Sequence, residues 1–136
     1  MKRPPSLPGI AKSLGATKPV GTLPIVFFVP SARRSGEPVD HDYWVTEALS
    51  TFGALFRGAT AYPRARGVWR DDEEGGTLKF EEPTIVFTYA DPSDFTKVAR
   101  ERLRAFLHRV GRETSQGEVG IVIRNSYFGI TEFDDE

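Results

Sequence analysis

The chain has 136 residues, 39% of them hydrophobic and 27% charged, with a net charge of −1, a size and balance suited to one globular domain. Such a near-neutral chain sets up no field that would gather nucleic acid, anionic lipid or acidic substrates. Cysteine is absent, which excludes disulfides, thiolate metal sites and cysteine nucleophiles.

Residues 1–22 are rich in proline, glycine and serine, and their only charged side chains are basic. No helical or strand period survives there, so the segment reads as an arm outside a single α+β domain spanning residues 23–136. No apolar run approaches the ~20 residues that span a bilayer. The basic start, followed late by LPIVFFVP, makes a poor secretion signal. A cytoplasmic protein without a membrane partner is expected.

LPIVFFV (23–29) reads as a buried strand closed by Pro30. In HDYWVTEALSTFGALFRG, Trp44, Ala48, Phe52 and Phe56 recur every four residues and form one apolar helical stripe. Asp40 or Asp42 suits its start and Gly58 its end. Residues 59–70 read as one extended edge segment carrying Pro63, DDEEGG as a solvated turn, and TLKF as a short strand.

TIVFTYA (84–90) is a second clear strand. Asp91 and Pro92 then open a helix, FTKVARERLRAFLHRV, which Gly111 is expected to stop. His108 falls on a basic stripe with Lys97, Arg100 and Arg104. EVGIVIR (118–124) is a third strong strand, and Asn125-Ser126 can turn the chain into an added C-terminal strand. The order strand, helix, strand, strand, helix, strand resembles the ferredoxin-like, or split β-α-β, plan: an antiparallel sheet with two helices on one face.

A sheet covered on one face should be polar on the other, yet Ile25, Phe27 and Val29 alternate with Val26 and Phe28, and Ile85, Phe87 and Tyr89 with Val86 and Ala90. Exposed apolar patches of this kind mark interfaces or pockets. Phe27, Phe28, Phe87 and Tyr89 are therefore read as interface residues. The leading functional expectation is a non-catalytic association domain, either a homodimer or an accessory subunit on a partner protein.

The rival is a small acid–base enzyme without a cofactor, or a binder of an anionic small molecule. Its candidates come from GRETSQGEVG (111–120), where Glu113 and Glu118 would act as acid or base beside Gln116, and from ARGVWR, where Arg66, Trp69 and Arg70 would grip an anion. The simpler account of the first stretch is a helix end, a turn and a strand start; that of the second is a charged sheet edge. Four consecutive acids in DDEEGG remain solvated rather than hold a metal. A third reading, nucleic-acid binding through the basic arm and the sheet aromatics, lacks the RNA-recognition signature.

Overall fold

The computed structural model of the chain describes residues 4–18 and 20–135. The elements run α1 (Leu7–Ser13), β1 (Leu23–Val29), α2 (His41–Phe56), β2 (Thr60–Tyr62), β3 (Gly67–Asp71), β4 (Thr77–Glu81), β5 (Thr84–Ala90), α3 (Lys97–Glu113), β6 (Val119–Ile123) and β7 (Ser126–Ile130). Five strands form one sheet in the order β2-β5-β1-β6-β7, and every neighbouring pair is antiparallel. β3 and β4 pair only with each other, as a separate two-stranded sheet. The expected single extended segment over 59–70 is thus two strands in two sheets. Pro63 ends the first, because it has no N–H to continue a ladder.

Both long helices lie on the face lined by Ile25, Phe27 and Val29, all fully buried. The four-residue stripe of α2 meets them through Trp44, Ala48, Phe52 and Phe56, and α3 adds Leu103, Phe106, Leu107 and Val110. Phe27 sits at the centre, with ring centroids 5.7 Å from Phe106 and 6.4 Å from Phe52. It is a core residue and not an interface residue: odd positions of β1 point at the helices, and only even ones reach the other face. Asp40 caps α2 by accepting the Tyr43 N–H at 3.2 Å. At the far end Arg57, rather than a glycine, takes the left-handed turn at φ 74°.

Three local expectations are corrected. The arm is not without helix, since Ser6 caps the short α1, although no residue of α1 is buried. Asp91 and Pro92 start a 3-10 turn, Pro92–Asp94, and α3 begins at Lys97 behind a Thr96 cap. Gly111 does not stop α3, which continues to Glu113. A Cβ at 111 would collide with the ring of Phe133, so this glycine admits the C-terminal tail rather than turning the chain.

That tail lies along α3. His108, buried and not on a solvated stripe, accepts the Asp134 N–H at Nδ1 (2.7 Å), and Arg104 holds the Asp134 carboxylate through two bonds of 2.7 and 2.9 Å. Gly111→Ala is expected to lower the melting temperature, because overpacking of about 1–3 kcal/mol exceeds the ~1 kcal/mol helix-propensity gain. Unchanged or raised melting would contradict this packing.

Among the described residues, no helix is long and apolar enough to cross a membrane.

Candidate functional site

The face of the sheet opposite the two long helices carries Val26, Phe28, Ile85, Phe87 and Tyr89, which are half-buried or exposed. The β3–β4 hairpin stands over one end of this face, and a cleft of about 230 Å³ opens between hairpin and sheet. Phe28 and Pro30 border it from the end of β1, Trp69 and Glu81 from the hairpin, Gln116 and Glu118 from the loop before β6, and Tyr127 from β7. A second cleft of about 330 Å³ adjoins it, sharing Gly67 and Glu81. Together they reach the size range of small-molecule sites, a few hundred Å³.

Alternation along each strand explains why these side chains converge. Gly67 pairs with Glu81 and Trp69 with Lys79, so one face of the hairpin presents Trp69 and Glu81. Val68 and Phe80 pair on its other face and remain 55% and 73% exposed. Burial pushes the Glu81 carboxyl above the usual range, and the neighbouring Trp69 indole offsets only part of that effect.

Across the cleft, the Tyr127 hydroxyl donates to Glu118 Oε2 at 3.0 Å. Two glycines make room for this pair: a Cβ on Gly120 would strike the Tyr127 hydroxyl, and one on Gly129 would strike the Glu118 carboxylate. The Tyr127 phenol is pushed up to about 12, first by burial, then by its bond to Glu118 and the negative charges of Glu118 and Glu81. The ring as a whole stays exposed, so the shielded part is the hydroxyl lying against Gly120.

The predicted site residues separate. Glu118, Gln116 and Trp69 line the cleft. Gln116 is largely structural, donating to the carbonyls of Ala32 (2.8 Å) and Thr114 (3.1 Å). Glu113 turns away to Arg109 at 2.9 Å and does not meet Glu118. Arg70 lies outside the cleft, paired with Asp72 at 2.6 Å. Arg66 lines the adjoining cleft with Arg64 and Glu82.

GRETSQGEVG is therefore mostly a helix end and a braced loop. Arg33 donates to the carbonyl of Glu113 and to Ser115 Oγ, and the buried Thr114 hydroxyl closes back on Val110. Only Gln116 onward reaches the site. The acidic turn after β3 is not wholly solvated either: Asp71 is 1% exposed and receives Arg34 through bonds of 2.7 and 3.0 Å. Those bonds hold its carboxyl below the usual range. Among the described residues no three His, Asp or Glu side chains converge as a metal site.

The sequence reading missed Glu81 and Tyr127 as members of the site. In the sequence Glu81 stands in EEP, a linker between two predicted strands, and Tyr127 was counted only among the sheet aromatics that could stack nucleic-acid bases. One signal was present: glycines at 120 and 129, inside strands, mark close approach of neighbouring groups.

The cleft is thus acidic and aromatic, with Glu81 and Glu118 among the faces of Phe28, Trp69 and Tyr127, in an α+β fold built on a mostly antiparallel sheet. The chain is similar to a phage SAM lyase in complex with S-methyl-5′-thioadenosine, with a TM-score of 0.62 and 15% identity over 85% of this chain and 95% of that one. It is also similar to a phage SAM lyase in the apo state, with a TM-score of 0.55 and 17% identity over 87% and 95% of the two chains. No protein-family model and no curated protein matches the chain. The expectation of a non-catalytic association domain is corrected by this likeness, which points to an enzyme fold.

Proposed function

We propose that the chain is a small enzyme whose cleft binds an adenosyl sulfonium, S-adenosylmethionine or a close relative, and cleaves it to S-methyl-5′-thioadenosine. The observation that carries this reading is the cleft's composition. Two carboxylates stand beside three aromatic rings, which suits a cation attached to a flat heterocycle. An anionic ligand, the earlier alternative, would meet Glu81 and Glu118 first. The likeness to phage SAM lyases supports the same substrate class.

In this reaction the carbon–sulfur bond breaks and its electron pair stays on sulfur, which leaves as a neutral thioether. The four-carbon fragment loses one proton, from the carbon next to the one that bore sulfur, as it becomes an alkene. A sulfonium is already an activated leaving group. The protein's part is to bind it, orient it away from water and accept the proton. Glu81 suits proton acceptance, because a carboxyl whose pKa lies above the ordinary range is a better base once ionised.

The test is incubation of the purified chain with S-adenosylmethionine and chromatography of the products. S-methyl-5′-thioadenosine should accumulate, with an equal amount of the four-carbon fragment. No turnover and no binding of either compound would refute the reading.

We also read the sheet as the ferredoxin-like plan with β7 and the β3–β4 hairpin added; the order β2-β5-β1-β6 and two helices on one face support it. We propose further that a second copy of the chain covers the apolar remainder of the open face. Tyr62 and Phe87 stack there at 5.2 Å and Tyr89 is 61% exposed. Light scattering is expected to give more than the monomer mass.

A further inference from the structure

The hairpin that supplies Trp69 and Glu81 has no strand ladder to the main sheet, so something else must fix its distance from Phe28 and Tyr127. At its base, the Ala65 N–H bonds the Pro83 carbonyl at 2.8 Å and the Glu82 N–H bonds Ser31 Oγ at 3.1 Å. At its tip, Arg34 reaches across from the loop after β1. Its Nε and Nη2 grip both oxygens of Asp71 at 3.0 and 2.7 Å, and Nη2 also meets Glu73 at 3.0 Å. Arg34 is itself tied to the opposite wall: its backbone N–H donates to the Ser115 carbonyl at 3.0 Å. A Cβ on Gly117 would stand 3.3 Å from its Nε. One residue therefore touches both the hairpin and the loop that carries Gln116 and Glu118.

We infer that Arg34 and Asp71 are positioning residues that set the width of the cleft, holding Trp69 and Glu81 at the distance from Tyr127 and Glu118 that an adenosyl ligand requires. The inference rests on the cleft being the site proposed above. A bidentate guanidinium–carboxylate pair fixes direction as well as distance, and Asp71 is almost fully buried, so neither water nor another cation replaces Arg34 easily. Asp71 also accepts the Glu73 N–H at 3.2 Å, which couples the clamp to the shape of the hairpin turn.

The test uses the full chain, with S-methyl-5′-thioadenosine as probe, calorimetry for affinity and hydrogen exchange for residues 67–81. Asp71→Asn should weaken binding roughly tenfold, the scale of coupling within one hydrogen-bond network. Exchange in the hairpin should accelerate while the amides of β1 and β5 keep their protection. Arg34→Lys keeps the charge but loses the fork; it should show a smaller loss of the same kind, and it serves where Asp71→Asn fails to fold.

A folded Asp71→Asn chain with wild-type affinity and wild-type hairpin exchange overturns the inference alone. Failure of the wild-type chain itself to bind the probe overturns the cleft reading, and the positioning role with it. Arg104→Ala, a change on the remote α3 surface, should alter neither readout.

Discussion

Glu81→Gln should lower turnover of S-adenosylmethionine by about 100-fold or more while leaving the chain folded and, at pH 7, more stable than the wild type. The two effects run in opposite directions for one reason. Burial raises the Glu81 carboxyl above its ordinary range, so the folded state prefers the protonated form. That preference contributes stability below the pH where an unfolded glutamate titrates, and it is lost as pH rises through the raised folded value. At pH 7, above the titration of an unfolded glutamate, the charge on this carboxyl therefore opposes folding, and glutamine removes that opposition.

A purely structural Glu81 predicts the reverse: unchanged turnover, with stability equal or lower. The same ionisation orders the ligands. Affinity for the cationic sulfonium should rise with pH through the Glu81 titration, and affinity for the neutral thioether should change much less. Calorimetry at several pH values, beside thermal melts of both chains, checks each part.

The adjacent phenylalanines of β1 give the second large effect. Phe27→Ala removes a fully buried ring packed on Phe52 and Phe106 and should cost about 3–5 kcal/mol of stability. For a domain with a typical reserve of about 5–15 kcal/mol, that removes between about a fifth and the whole of it. Phe28→Ala, one position on, empties only the wall of the cleft. It should cost little stability, because its ring is half-exposed and meets Tyr127 at 6.3 Å, yet it should weaken S-methyl-5′-thioadenosine binding by several-fold, as loss of one stacked ring does. Denaturant melts and calorimetry on the two variants separate core from site. Equal losses of stability would show that Phe28 is core as well.

What the sequence made plain was whatever a short window decides. The apolar runs at 23–29 and 84–90 became β1 and β5 at those bounds, and the four-residue stripe of Trp44, Ala48, Phe52 and Phe56 became the buried face of α2. The errors came from partners distant in the chain. Gly111 looked like a helix stop, because nothing nearby reveals that the Phe133 ring rests on it. Asp71 looked solvated, because its partner Arg34 lies 37 residues earlier. The sheet is apolar on both faces, as the alternation along β1 and β5 indicated, and a hairpin of the same chain takes one end of the face away from the helices. Glu81 became a site residue only through that hairpin, whose pairing turns it inward beside Trp69 and opposite Tyr127, 46 positions later in the numbering of the chain.

The most direct test of the central claim is a backbone and side-chain NMR titration of the intact chain with S-methyl-5′-thioadenosine. The largest shifts are predicted at Phe28, the Trp69 indole, Glu81, Gly120 and Tyr127, with residues on the outer surfaces of α2 and α3 unmoved. Shifts confined to the helical face, or none at saturating ligand, would contradict the assignment of the site to the cleft between hairpin and sheet.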